Sequence, residues 1–326
     1  MIFKNIEFHN VEQIIDSGKG FDLVRVPENV VNSLKEKGNI AYFGTGVELR
    51  FIMKSDEVKI ILRAEETEEA QVAYLVFGSL QGGWEYSSKI IYTHDSVINI
   101  KKPYDMDMLR RIHKENKLPF DCEVVRVLLP YCRVKFIDVI GDICPPQRTQ
   151  LPKKRYLAYG SSITHGSLSL NPIASYVYQT AENLGADPIN LGFAGSARLE
   201  EEMAKYIVSR KDWDFATIEL GVNLMGELSC EEFKERAKIF IDVLSKDTRP
   251  ILCTDIFTLS QDMDKGSKAE EFRKIVRSLA EGKLPYKCGR EIMTTTAGLS
   301  ADFTHPNLRG VNEIAKNMTE FIKANI

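Results

Sequence analysis

Four short stretches of this chain carry residue types that together can move an acyl group. They are Gly160-Ser161-Ser162, Gly192-Phe193-Ala194-Gly195-Ser196-Ala197-Arg198, Gly221-Val222-Asn223-Leu224 and Asp302-Phe303-Thr304-His305-Pro306. A serine hydroxyl is a weak nucleophile until a base takes its proton, and the base works best when a carboxylate fixes its tautomer. Asp302 lies three residues before His305, so one turn can bring carboxylate to imidazole. Acyl transfer also needs donors for the developing oxyanion. The backbone N–H groups of Ser162 and Gly195 and the side-chain amide of Asn223 would supply them, and loss of one such donor typically costs about 100- to 1,000-fold in rate. A plainer reading stands beside this one, in which Ser161 to Thr164 form only a strand-to-helix turn with a Ser/Thr cap. His165 follows Ser162 by three residues and has no nearby acid, so it is expected to point along or away from the helix start.

Such residues need a frame that brings the ends of separate strands together. From Arg155 onward, short apolar runs alternate with helical stripes. Tyr156–Tyr159, Pro188–Gly192, Phe215–Leu220 and Pro250–Thr254 read as buried strands. Between and after them, Tyr176, Val177 and Thr180, then Met203, Tyr206 and Ile207, then Phe233, Ala237, Phe240, Ile241 and Leu244 fall at helical spacing. Phe272, Ile275 and Val276 mark a further helix, and Val311, Ile314, Ala315, Met318, Phe321 and Ile322 the last. This alternation predicts a parallel sheet with helices on both faces, whose ligands bind at the carboxyl ends of the strands. The first three chemical stretches each follow a strand and would collect there. Asp255, after the fourth strand, reads as a turn or capping residue before it reads as a substrate contact.

The region before Arg155 reads differently. Val47–Met53, Val58–Arg63, Gln71–Phe77, Val97–Ile100, Glu123–Leu129 and Arg133–Val139 are strand patterns, with one helix near Met106 to Asn116. Lys54-Ser55-Asp56-Glu57 reads as a hairpin turn. Many strands with little helix predict an antiparallel sandwich. Trp84 is read as covering one end of that core, with sugar stacking as the alternative. Prolines at 145, 146 and 152 break the strand rhythm. The division is therefore residues 1–145, a linker at 146–152, and a second domain at 153–326.

Composition excludes little but points one way. The chain has 326 residues, 44% hydrophobic and 27% charged, with a net charge of −3, which gives no case for nucleic acid. No stretch approaches the roughly 20 apolar residues of a membrane span, and none near the start resembles a signal peptide. The six cysteines are scattered with no Cys-x-x-Cys pair. Reduced thiols in a cytoplasm, and neither metal nor cofactor, are the expectation.

The four stretches, in this order and at this spacing, resemble the SGNH (GDSL-type) hydrolase superfamily over residues 153–326. The resemblance implies a flavodoxin-like three-layer α/β/α domain. It also implies Ser162 as nucleophile, His305 as base, Asp302 as its orienter, and Ser162, Gly195 and Asn223 as oxyanion donors. The preceding β-rich region resembles the jelly-roll-like β-sandwich of two-domain carbohydrate-esterase and acyltransferase members. Two departures are visible. The usual Gly-Asp-Ser reads Gly160-Ser161-Ser162, and Leu224 stands where many relatives carry Asp. Other folds fit worse: Thr164 occupies the last position of Gly-x-Ser-x-Gly, and no Gly-x-Gly-x-x-Gly follows the first strand.

The expected activity is hydrolysis of short O-acyl esters, acetyl above all, on a carbohydrate or other polyol. The expected partner is thus a small-molecule or oligosaccharide ester. An acyltransferase using the same acyl-enzyme, and a non-catalytic carbohydrate-binding protein, are the alternatives. Asn at position 302 is expected to slow turnover less than loss of His305, because a solvated imidazole still accepts a proton.

Overall fold

The computed structural model describes residues 1–65, 67, 71–84 and 87–326. By contacts the chain forms two compact units: Met1–Pro27, Ala41–Lys153 and Gly185–Asp187 in the first, and Glu28–Ile40, Lys154–Leu184 and Pro188–Ile326 in the second.

The first unit holds two antiparallel sheets. One runs in the order Ile2–Phe3, Ile6–His9, Glu48–Met53, Val124–Leu128, Gln71–Phe77, Leu80–Gln81, with Ile143–Cys144 and Ser88–Ile91 paired at its side. The other runs Ser96–Lys101, Glu57–Glu65, Arg133–Ile140, Phe21–Val24, Gln13–Asp16. Phe8, Leu49, Phe51 and Val127 of the first and Leu23, Ile60, Leu62 and Phe136 of the second belong to one core, so the sheets form a sandwich. The strands on either side of Lys54–Glu57 lie in different sheets. That turn is a crossover rather than a hairpin, since both strands point alternate apolar residues into the same core. Trp84 is fully exposed and covers no core. The helix Met106–Asn116 is capped by Asp105, whose side chain accepts from the Met108 N–H. In the segment Glu28–Ile40, which belongs to the second unit, the helix Glu28–Ser33 was not evident in the sequence pattern, nor was the 3-10 turn Lys35–Tyr42 that begins there.

Strand Glu48–Met53 is buried on both faces. Its polar face is an ion network: Glu48 accepts from Arg50 at 2.8 Å and from Arg126 at 2.7 Å, and Arg50 grips Asp187 with two hydrogen bonds. The ring of Phe120 covers the Arg126 guanidinium at 3.7 Å. Desolvation alone would push the Glu48 carboxyl up, but Arg126 and Arg50 hold it well below the usual carboxylate range.

The parallel sheet has five strands, labelled here β1 (Lys154–Gly160), β2 (Ala186–Gly192, whose first two residues count with the first unit), β3 (Phe215–Glu219), β4 (Ile251–Thr254) and β5 (Tyr286–Lys287). Their order is β2-β1-β3-β4-β5, and the pairs β1–β3, β3–β4 and β4–β5 are parallel. β1 through β4 are almost entirely buried, as apolar strands flanked by helices on both sides must be. Right-handed crossovers put the connection from β1 to β2 on one face and those from β2 through β5 on the other. Accordingly the helices pack in two groups. Tyr176–Leu184 lies against Leu308–Lys323, while Cys230–Leu244 lies between Glu201–Ser209 and Lys268–Ala280. The strand order reverses between β1 and β3, and the site lies at that edge. All six cysteines are free thiols. Among the described residues no helix is long and apolar enough to cross a membrane.

Candidate active site

The turn after β1 is set by what Gly160 leaves out. A Cβ there would lie 2.2 Å from Thr164 Oγ1 and 2.6 Å from Glu219 Oε2, so any larger residue would displace both side chains. Ser161 then turns inward. Its N–H donates to Glu219 Oε2 at 2.7 Å, and its Oγ accepts the Ile163 N–H at 3.2 Å, capping the short helix Ser162–His165. Ser161 is buried, whereas Ser162 is half-buried. Thr164 Oγ1 is shared with the Tyr176 hydroxyl at 2.7 Å, which ties this turn to the helix behind it.

His305 approaches from the loop before the last helix. Its Nε2 lies 2.7 Å from Ser162 Oγ, and its Nδ1 lies 2.7 Å from Asp302 Oδ2. An ionised carboxylate only accepts, so the proton between them sits on Nδ1 and leaves Nε2 to accept from the serine. The other carboxylate oxygen, Oδ1, accepts the N–H groups of Thr304 at 3.0 Å and His305 at 2.9 Å. Desolvation pushes this carboxyl up, but those two backbone donors and the imidazole outweigh it and hold it below its ordinary value. Phe303, between the pair, takes φ 63° and is exposed. Its carbonyl accepts the Ser260 N–H at 3.2 Å, fixing the loop from its other side. Hydroxyl, imidazole and carboxylate in series are what general-base activation of a serine requires.

The loops after β2 and β3 close on the same edge. The Phe193 N–H donates to the Gly160 carbonyl at 2.9 Å, joining the ends of β2 and β1. The Ala197 N–H donates to Asn223 Oδ1 at 3.2 Å, joining the loops after β2 and β3. That bond occupies the acceptor of the Asn223 amide and turns its NH₂ away. Gly195 takes φ 64°, and a Cβ there would meet nothing within 4 Å. Among the described residues, the Ser162 N–H, the Gly195 N–H and Asn223 Nδ2 make no hydrogen bond. An anion at this edge would therefore find donors with no competing acceptor.

Other candidates go elsewhere. His165 is buried, with Nδ1 3.2 Å from the Gly192 carbonyl. Asp255 is fully buried and accepts the Gly289 N–H at 2.6 Å and the Tyr286 hydroxyl, so it caps the short helix Gly289–Ile292. Burial raises its pKa to about 6. Among the described residues no group of His, Cys, Asp and Glu could hold a metal ion.

Two residues that hold the site were not singled out in the sequence. Glu219, at the buried end of β3, takes the Ser161 N–H. Burial raises its carboxyl pKa despite the hydrogen bonds from Ser161 and Thr164. A charged residue ending an apolar strand was the available signal, since a carboxylate buried there must find donors. Asn190 is the other: its amide donates to the Thr164 carbonyl at 2.9 Å, and its oxygen accepts the Gly192 N–H at 2.7 Å.

Comparison with known proteins bears on the fold and the family. Three solved structures share the fold over nearly the whole chain. A salicylyl-acyltransferase from a tetracycline biosynthetic pathway is 15% identical with a TM-score of 0.79, over 98% of this chain and 95% of its own. A GDSL-like lipase from Bacteroides ovatus, described as putative, is 16% identical with a TM-score of 0.70, over 98% and 96%. An acetyl xylan esterase from the rumen bacterium Butyrivibrio proteoclasticus is 13% identical with a TM-score of 0.60, over 99% and 96%. At such identities the likeness is one of fold. No curated protein matches by sequence. The family model for GDSL-like lipases and acylhydrolases matches residues 153–323, more than half of the chain and all four of the stretches above. The chain therefore belongs to the GDSL-like lipase/acylhydrolase family of ester-cleaving enzymes.

Proposed function

We propose that the protein is a serine esterase that removes short O-acyl groups, acetyl above all, from a carbohydrate or other polyol. The observation that carries the reading is the hydrogen-bonded series Ser162–His305–Asp302 beside donors that have no acceptor. In this mechanism Ser162 Oγ attacks the ester carbonyl and its proton passes to His305 Nε2. Asp302 keeps the imidazole in the right tautomer and stabilises the imidazolium. The Ser162 and Gly195 N–H groups and Asn223 Nδ2 receive the oxyanion. His305 returns the proton to the leaving alcohol, and water then releases the acyl group by the same steps.

The short-acyl preference is supported by the loop over residues 257–268. It is fixed by an ion pair between Asp262 and Arg273, and its tip is polar apart from Met263. A long acyl chain gains about 0.8 kcal/mol per CH₂ only inside an apolar tunnel. A second reading, transfer of the acyl group to an acceptor hydroxyl, is favoured by the acyltransferase of TM-score 0.79. The test is kcat/KM on p-nitrophenyl acetate, butyrate, octanoate and palmitate, then on acetylated sugars with and without acceptor alcohols. A maximum at octanoate or longer sinks the short-acyl reading. Product formed on the acceptor faster than free acid favours transfer. A protein that no fluorophosphonate labels is a binding protein.

A further inference from the structure

The Ser162 N–H, the donor nearest the nucleophile in the chain, is aimed through two peptide units. A trans peptide unit is planar, so a carbonyl that is held fixes the N–H on the opposite side of the same unit. The Ser162 N–H shares its unit with the Ser161 carbonyl, and that carbonyl accepts the His165 N–H at 2.9 Å. The His165 N–H in turn shares its unit with the Thr164 carbonyl, which accepts from Asn190 Nδ2 at 2.9 Å. The Asn190 amide is itself oriented, since its Oδ1 accepts the Gly192 N–H at 2.7 Å. Gly192 also lies against the second of these units: a Cβ there would lie 2.1 Å from the His165 nitrogen and 2.6 Å from the Thr164 carbonyl carbon. The helix Ser162–His165 is a single turn. A turn that short is not stable alone and takes its geometry from what it packs against.

Resting on the esterase mechanism above, we propose that Asn190 is a positioning residue for the oxyanion hole. It is buried beneath the turn, out of reach of substrate. Its amide pins the Thr164 carbonyl, the same peptide unit then holds the His165 N–H on the Ser161 carbonyl, and that unit points the Ser162 N–H at the oxyanion. Without the amide the unit between Thr164 and His165 tilts, the bond to Ser161 weakens, and the Ser162 N–H spreads over several directions. A donor lowers the barrier only when it is already aimed at the charge that forms in the transition state, so the loss falls on kcat.

The experiment compares Asn190→Ser and Asn190→Ala in the full chain, with Tyr156→Phe as a control for lost stability and Ser162→Ala as a control for the mechanism. Asn190→Ser keeps an oxygen for the N–H two residues on, a turn that serine makes as asparagine does, but is too short to donate to the Thr164 carbonyl. Tyr156→Phe removes another buried hydrogen bond of the same sheet, the one to Thr217 Oγ1 at 2.6 Å. With p-nitrophenyl acetate, both Asn190 variants are expected to lower kcat about 10- to 50-fold with KM within about twofold, part of the effect of losing one oxyanion donor outright. Affinity for methylboronic acid, which forms a tetrahedral adduct on the serine, is expected to fall by a similar factor. Tyr156→Phe is expected to lower the urea midpoint and keep kcat. A kcat within about threefold of wild type in Asn190→Ser overturns the proposal. So does a loss confined to KM or to the urea midpoint, or an equal loss of kcat in Tyr156→Phe. Should Asn190→Ala fail to fold, Asn190→Ser decides alone. If Ser162→Ala keeps esterase activity, the underlying mechanism fails, and that outcome is separate from any result at Asn190.

Discussion

Asn at position 302 should be worse for turnover than Ala. Asp302 uses both carboxylate oxygens, Oδ1 for two backbone N–H groups and Oδ2 for His305 Nδ1. An amide has one oxygen. If that oxygen keeps the two backbone donors, the NH₂ faces Nδ1 and favours the tautomer with its proton on Nε2, which cannot accept from Ser162. Flipping the amide instead opposes its NH₂ to two backbone N–H groups. The loss of a charge-assisted hydrogen bond is worth about 1.5–3 kcal/mol and the unpaired donor about 1–3 more. Together they come to about 2.5–6 kcal/mol, which is about 70- to 25,000-fold in kcat/KM. In Asp302→Ala only the first term applies, because the side chain is 42% exposed and water can take its place. A loss of about 10- to 100-fold is expected there. The sequence placed Asp302→Asn only below loss of His305; the double use of the carboxylate adds that it falls behind Asp302→Ala. Because the carboxyl is held below its usual value, it stays ionised down through pH 5, and the order Asp, Ala, Asn should hold from pH 5 to 9. The assay is kcat/KM on p-nitrophenyl acetate for all three proteins, with urea unfolding to show that each is folded. An Asn variant within tenfold of wild type, or faster than Ala, refutes the tautomer argument.

Further outcomes follow from the same contacts. Ser162→Ala should abolish turnover and fluorophosphonate labelling. Ser161→Ala should keep most of both and lose about 1 kcal/mol of stability with its cap, read from the urea midpoint; the reverse pattern moves the site by one residue. Gly160→Ala should cost about 1–3 kcal/mol from overpacking and lower kcat as well, since Thr164 and Glu219 must move; full activity would show that the turn tolerates a Cβ. Glu48→Gln should destabilise the first unit by about 3–5 kcal/mol at pH 7 by leaving buried guanidinium charge uncompensated. The Glu48 pKa is depressed in the fold, so its contribution is present above the unfolded value of about 4.3 and fades as pH falls below it. The gap between wild type and variant should narrow on acidification, and a constant gap would mean that charge is not the cause.

Strand and helix identities in the second unit were legible because each element there answers to one local pattern. Apolar runs became β1 to β4, and the stripe from Val311 to Ile322 became the buried face of the last helix. The pair Asp302 and His305 was legible for the same reason, since three residues of separation bring the two side chains into reach whatever the rest of the chain does. The alternation in Glu48–Met53 located a strand but not what its polar face meets. Polar residues at every second position suit a solvated face and a buried ion network alike, and only the partners Arg126 and Asp187 distinguish them. A polar turn such as Lys54–Glu57 likewise serves a hairpin or a crossover, because sheet membership depends on distant strands. Glu219 and Asn190 carry no motif of their own. Their roles exist only where folding sets Glu219 behind Ser161 and Asn190 under Thr164, contacts whose sequence separations reach 58 residues. Residue types and spacing thus determined the chemistry available to this chain, while the long-range contacts that orient its donors were decided by tertiary structure alone.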